Sequence, residues 1–130
     1  MSKHRVPTDL PREDFLTALH YALRYPMWEK EIETPPDTAQ AIRYDRDRVQ
    51  TSGDYDPVQT TAIRREEIGR KMALVDKVCL EVGKELSYYL KLGVCYGLTW
   101  WQLEAKGIPC SRNTYYTMRK RFYFELSLRI

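Results

Sequence analysis

A chain of 130 residues with 43% hydrophobic and 30% charged side chains has the composition of one modest globular domain, or of a small domain with an arm. No run of about 18 apolar residues is present to span a bilayer, and no basic-then-apolar leader opens the chain, which predicts a cytoplasmic protein with no membrane partner. The net charge of +3 conceals a gradient, because residues 1–57 carry −3, residues 58–110 carry +2 and residues 111–130 carry +4. That gradient puts a phosphate-facing surface at the C-terminal end and leaves the acidic N-terminal part for a protein partner.

In chain order, a polar lead through Thr8 gives way to a helix that begins near Pro11. Proline is favoured in a first helical turn, and Glu13 and Asp14 complement the dipole there. Phe15, Leu19 and Leu23, with Ala22, form its apolar side, and His20 reads as a surface histidine. Pro26 breaks or kinks this helix after Tyr25. Met27, Trp28 and Ile32 then form a further short helical piece that ends before Pro35-Pro36. From 34 to 57 there is no periodicity, only Asp, Arg, Thr, Pro and Tyr, so the stretch reads as a long loop or linker.

Val58 opens a long helical pattern that reaches about Glu85. Ile68, Met72, Val75, Cys79, Val82 and Leu86 recur at alternating steps of four and three, a heptad seam that Leu74 and Val78 broaden. The seam suits either the central helix of a bundle or a homodimer through the 68–86 helix, and a dimer would match a DNA site built from two half-sites. Leu86 to Cys95 makes another short helix, with Tyr89, Leu92 and Val94 to Tyr96 packing under Trp100-Trp101, and Gly97 ends it.

The last third carries the most specific pattern. Thr99-Trp100-Trp101-Gln102 fits a capping box and starts a short helix to about Lys106. That helix cannot continue through Gly107-Ile108-Pro109. Ser111 is a good N-cap for a second helix, which runs toward the C-terminus without Gly or Pro. Tyr115, Met118, Phe122 and Leu126 fall on one side of it, as a core stripe. The other side presents Asn113, Tyr116, Thr117, Lys120 and Arg121, with Arg112 in the first turn.

These side chains suit double-stranded DNA. Arg and Lys serve phosphate or guanine, Asn serves adenine, and Thr and Tyr serve phosphate oxygens. In a helix-turn-helix the N-terminal residues of the second helix meet base edges, so Ser111, Arg112, Asn113, Tyr116 and Thr117 are the candidates there, while Arg119, Lys120 and Arg121 face phosphates. A basic C-terminal helix also complements its own dipole and is often just a solvated face. Its position after a capped helix and a tight turn favours the DNA reading.

Catalysis and metal binding find little support. Cys79, Cys95 and Cys110 are odd in number and lack CxxC spacing, which argues against a disulfide framework or a zinc site. Cys79 lies in the apolar seam, and Cys110, beside a helix start, is expected to be structural. His4 and His20 are the only histidines. No Gly-rich phosphate loop follows a strand, and no pair of carboxylates is spaced in an apolar setting. The expectation is a non-enzyme without cofactor or metal: an all-α chain with an N-terminal helical arm at 1–33, a loop or linker at 34–57 and a helical DNA-binding domain at 58–130. Its helix-turn-helix spans 99–128.

The stretch VQTSGDYDPVQTTAIRREEIGRKMALVDKV, with YGLTWWQLEAKGIPCSRNTYYTMRKRFYFEL further on, resembles the late-gene transcriptional regulators of phages and prophages of low-GC Gram-positive bacteria, the ArpU/RinA-type group. That group is similar to the DNA-reading end of sigma factors. The likeness covers Val49 to Leu126, with Gly97, Thr99, Trp100, Ser111, Thr114 and Tyr116 filling its pattern, and Tyr25-Pro26 in an N-terminal helix also suits it. It implies a recognition helix from Ser111 to Arg121, a role in activating late or packaging genes in a bacterial host, and an acidic N-terminal part free to touch RNA polymerase. The sigma-like pattern usually has small or polar residues where this chain has Trp100-Trp101, so one indole is expected in the core and the other exposed. The likeness is shared with phage small terminase subunits, which package DNA, and a helical protein-interaction module without DNA binding is the remaining alternative.

Overall fold

Proline placement and left-handed residues set the element boundaries in the computed structural model, which describes residues 10–34 and 57–130, with side chains from Thr60 onward in the second stretch. The expected polar lead and almost all of the expected 34–57 loop lie outside the described residues. All regular structure among the described residues is helical: α1 (Arg12–Leu23), α2 (Tyr25–Glu33), α3 (Pro57–Gly83), a 3-10 turn (Lys84–Leu86), α4 (Ser87–Tyr96), α5 (Trp100–Ala105) and α6 (Arg112–Ser127). The all-α expectation is therefore met.

Pro11 occupies the N-cap of α1 with φ −55° and ψ 146°, where its missing amide hydrogen costs nothing. Pro26 does not break a helix in its middle. It sits in the first turn of α2, after α1 has closed at Arg24, so its fixed φ starts a helix. The buried side of α1 also differs from expectation: Ala18 and Ala22 are fully buried, whereas Leu23 is 41% exposed. The reason is close packing. α1 lies against α6 and α4, and alanines let the helix axes approach. Phe15 completes this face by meeting Tyr123 edge-on at 5.2 Å.

The long helix α3 ends at Gly83, two residues before the expected Glu85. Lys84 follows with φ 52°, the left-handed conformation that usually falls to glycine or asparagine after a helix. Gly83 cannot take that position for it, because Gly83 is buried one residue earlier, where an added Cβ would stand 3.3 Å from Leu90.

The described residues form two compact units. The larger joins those up to Pro26 with Ala73–Ile130, and the smaller runs from Met27 to Met72. Val75, Val78, Cys79, Leu90, Val94, Leu103, Tyr115, Phe122 and Leu126 are buried in the larger unit. Three of the expected core stripe of α6 are among them, and Met118 is buried as well. α4 lies at the centre, packed on α1, α5 and α6.

Val75 and Cys79 belong to the heptad seam, and both are enclosed within a single chain. These two seam residues serve the chain's own core, while Met72, Val82 and Leu86 are half-buried. Leu80, which lies off the seam, is the large apolar residue that α3 leaves exposed between Ala73 and Gly83.

The smaller unit is held differently. Arg64 forms an ion pair with Glu31, and Arg65 donates to the backbone carbonyls of Ile32 and Thr34 at the end of α2. These carbonyls have no partner within their own helix, and a guanidinium is well suited to receive them. Lys71 lies 5.9 Å from the centre of the Trp28 ring.

Candidate nucleic-acid interface

Two caps and one turn position the basic helix. Gly97, with φ 72°, closes α4 in the left-handed conformation, and the Leu98 amide donates back to the Leu92 carbonyl at 3.2 Å. Thr99 and Gln102 then form the expected reciprocal box: the Thr99 amide donates to Gln102 Oε1 at 2.8 Å, and the Gln102 amide donates to Thr99 Oγ1 at 3.3 Å. α5 ends on Gly107, φ 91°, with the Ile108 amide donating to the Leu103 carbonyl at 3.2 Å. Ile108 and Leu103 are both buried, giving the apolar contact that accompanies such a terminus. Ser111 caps α6, its Oγ accepting from the Thr114 amide at 3.2 Å while its hydroxyl donates to Thr114 Oγ1 at 2.9 Å.

The core beneath is aromatic and tight. Trp100 is buried and its ring lies 5.8 Å from that of Tyr115. The Tyr115 hydroxyl rests against the backbone of α4 at Gly93, where an added Cβ would stand 1.9 Å from the oxygen. Burial pushes the Tyr115 phenol up to about 12. The second indole, Trp101, points outward and is 64% exposed. The two indoles thus divide as expected, one in the core and one exposed.

The predicted DNA-binding residues divide into three groups. Asn113, Thr117, Lys120 and Arg121 are exposed along one side of α6, opposite the buried stripe. Ser111 is exposed but already serves as the cap. Arg112, Tyr116 and Arg119 line a flank, where cations and rings alternate. The Arg112 guanidinium carbon lies 5.3 Å from the Trp101 ring centre and 5.7 Å from that of Tyr116. The Arg119 carbon lies 5.8 Å from Tyr116 and 5.5 Å from Tyr123. Arg119, expected to face phosphate, is thus half-buried among tyrosines.

Among the described residues, none of Arg112, Arg119, Lys120 and Arg121 forms an ion pair. The single acid of α6, Glu125, is turned to Arg129 at 3.4 Å, and Arg129 also holds Glu81 at 2.7 Å. The Arg129 hydrogen bond lowers the Glu81 carboxyl. The one acid of α6 is thus occupied elsewhere.

Two polar clusters in the larger unit escaped the sequence reading. Tyr25 donates to Asp76 at 2.9 Å, and Lys91 Nζ reaches both the Tyr25 hydroxyl and Asp76 Oδ1 at 2.7 Å. Partial burial pulls the Lys91 ammonium down, but hydrogen bonds to Asp76 and Tyr25 outweigh it and hold it above the ordinary lysine value. Tyr25 is 51 and 66 residues from its two partners, too far for spacing to show. The buried thiols Cys79 and Cys95 form the other cluster, in which a hydrogen bond to Cys79, together with burial, pushes Cys95 up. Burial also raises Cys110. A thiol held protonated is a poor nucleophile or metal ligand, and no group of three or more His, Cys, Asp or Glu arranged for a metal occurs among the described residues.

No family model, curated protein or solved structure matches this chain. Among the described residues no helix is long and apolar enough to cross a membrane.

Proposed function

We propose that the chain is a sequence-specific, double-stranded-DNA-binding transcriptional regulator of the ArpU/RinA type, a binding protein without a catalytic step. α5 and α6 act as its helix-turn-helix, in the manner of the DNA-reading end of sigma factors. The observation that carries this reading is the set of basic side chains on α6, none paired with an acid among the described residues, above a buried aromatic base. A cationic face that no described acid neutralises suits phosphate, and a helix capped at its start and packed along its inner side suits the reading of bases. Lys120 and Arg121 anchor phosphates, while Arg112, Asn113 and Thr117 reach base edges from the first two turns.

Regulation of late or packaging genes in a bacterial host rests on the resemblance of Val49 to Leu126. RNA polymerase is the partner proposed for the acidic N-terminal part, and Glu13 and Asp14 are exposed at the start of α1. Since Ala18 and Ala22 of the same helix are buried, that partnership is tested by replacing Glu13 and Asp14 rather than by deleting the helix. Activation should fall while DNA affinity holds. A homodimer through the 68–86 helix would match a site built from two half-sites.

The test is fluorescence anisotropy with random duplex DNA and with a duplex selected from a random pool, over a salt series. Affinity should fall steeply with salt, and the selected duplex should be preferred. Lys120→Ala should weaken both duplexes alike and lower the salt slope by about one. Absence of binding at low salt would overturn the reading.

A further inference from the structure

We infer that Trp101 is a positioning residue for base recognition: with Tyr116 it holds the Arg112 guanidinium between two rings, so that the N–H edges of Arg112 are presented to a guanine. This rests on the DNA-binding reading above. Of the three tryptophans, Trp28 and Trp100 are 4% and 6% exposed, whereas Trp101 is 64% exposed and does no work for the core. It projects from α5 beside the first residue of α6, and the two rings lie 5.3 and 5.7 Å from the Arg112 guanidinium carbon. A ring over a guanidinium engages its π face and leaves the planar fork of N–H donors at the edge. Among the described residues no protein group accepts from those donors.

The chemistry follows from that division between face and edge. An unrestrained arginine loses side-chain freedom on binding a base, and one held between rings has already lost much of it. The edge is left to make the paired hydrogen bonds that guanine O6 and N7 accept in the major groove. Arg119, between Tyr116 and Tyr123, continues the stack from below and fixes the Tyr116 ring. Among the described residues no ring lies over Lys120 or Arg121, which matches a phosphate role in which orientation matters less.

The first measurement needs no DNA. In the free protein the Arg112 Nε–H resonance should show a ring-current shift that Trp101→Ala removes and Trp101→Phe largely keeps, with the melting temperature unchanged because the indole is exposed. The second uses a guanine-containing duplex selected from a random pool and the same duplex carrying 7-deazaguanine, which lacks the N7 acceptor. The wild type should prefer the natural duplex. Trp101→Ala should lose about two- to fivefold of that preference with its salt slope intact, and Trp101→Phe should restore it. If Trp101→Ala keeps the full preference, or loses one unit of salt slope instead, the positioning role is overturned while the DNA reading stands. If the wild type binds no duplex at low salt, the DNA reading fails and the inference with it, even where the Arg112 resonance behaves as described.

Discussion

The larger unit is held by enclosure and the smaller by charge. In the larger unit Phe122, Leu126, Leu103 and Val94 are fully buried and Tyr115 nearly so, from three different helices. In the smaller unit Trp28 and Ile68 are the buried large side chains among the described residues, and its polar connections include Arg64 to Glu31, Arg65 to the backbone carbonyls of Ile32 and Thr34, and Lys71 over Trp28. Burial of a large apolar side chain contributes about 1.5–3 kcal/mol, whereas an exposed ion pair contributes about 0–1. The helix proposed to read DNA therefore stands on the stable part of the chain. Local opening should begin in the smaller unit.

The strongest way to break this contrast is to empty the core under α6. Phe122→Ala should destabilise the larger unit by about 3–5 kcal/mol, read by denaturant unfolding. Its hydrogen-exchange protection should fall through α4 and α6 together. Next in size is Gly93→Ala, which forces a Cβ against the Tyr115 hydroxyl and should cost about 1–3 kcal/mol by overpacking. Tyr115→Phe in the same chain should relieve part of that cost, but not all, because the ring carbon bearing the hydroxyl would still lie 3.0 Å from the new Cβ. Were the double variant no more stable than Gly93→Ala alone, the close contact between α4 and α6 would not be what holds them.

How much of this was legible beforehand depends on whether the cause was local. The capping box at Thr99, the Ser111 cap and the Gly97 and Gly107 terminations are decided by a few adjacent residues, and the sequence pattern located each. The buried stripe of α6 was likewise readable, since helical period alone puts Tyr115, Met118, Phe122 and Leu126 together. The partner of each face was not readable. Heptad spacing in α3 is the same whether the seam meets a second copy or its own chain. The side of α1 was misjudged for a related reason: Leu23 is the more hydrophobic residue, but only alanine permits the close approach to α6. Along the flank of α6, Arg112, Tyr116, Arg119 and Tyr123 follow one another at steps of four, three and four, a signal present in the sequence. The Trp101 ring that completes it comes from another helix.

Alkali gives a smaller and sharper contrast. Burial raises the Tyr115 phenol from 10.0 to about 12, and it raises Tyr123 and Tyr25 in the same direction. Above pH 10 the unfolded chain releases these protons while the folded chain keeps them, so the folded state binds more protons and stability falls as pH rises from 10 toward 12. Lys91, held above its usual value, acts with the same sign. The loss should be on the order of 1–3 kcal/mol and should shrink in Tyr115→Phe, measured by thermal melts between pH 9 and about 12. It should fall on the larger unit, where all four groups lie.

The smallest expected effect tests the other half of the contrast. Arg64 and Glu31 are 50% and 31% exposed at the side chain, so water screens their attraction in the folded chain and solvates both groups well once they part. A double-mutant cycle with Arg64→Ala and Glu31→Ala should therefore give a coupling of about 0.2–1 kcal/mol that diminishes with salt. The readout has to be local, namely hydrogen exchange of the α2 amides from Trp28 to Glu33, because a change of this size is lost in a global melt. Arg65→Ala should expose the same amides further, since its guanidinium donates to the Ile32 and Thr34 carbonyls at and just past the end of α2. If the coupling exceeded about 2 kcal/mol or ignored salt, the ion pair would behave as a desolvated one. The smaller unit would then be held by enclosure as the larger one is, and the two regions would open together.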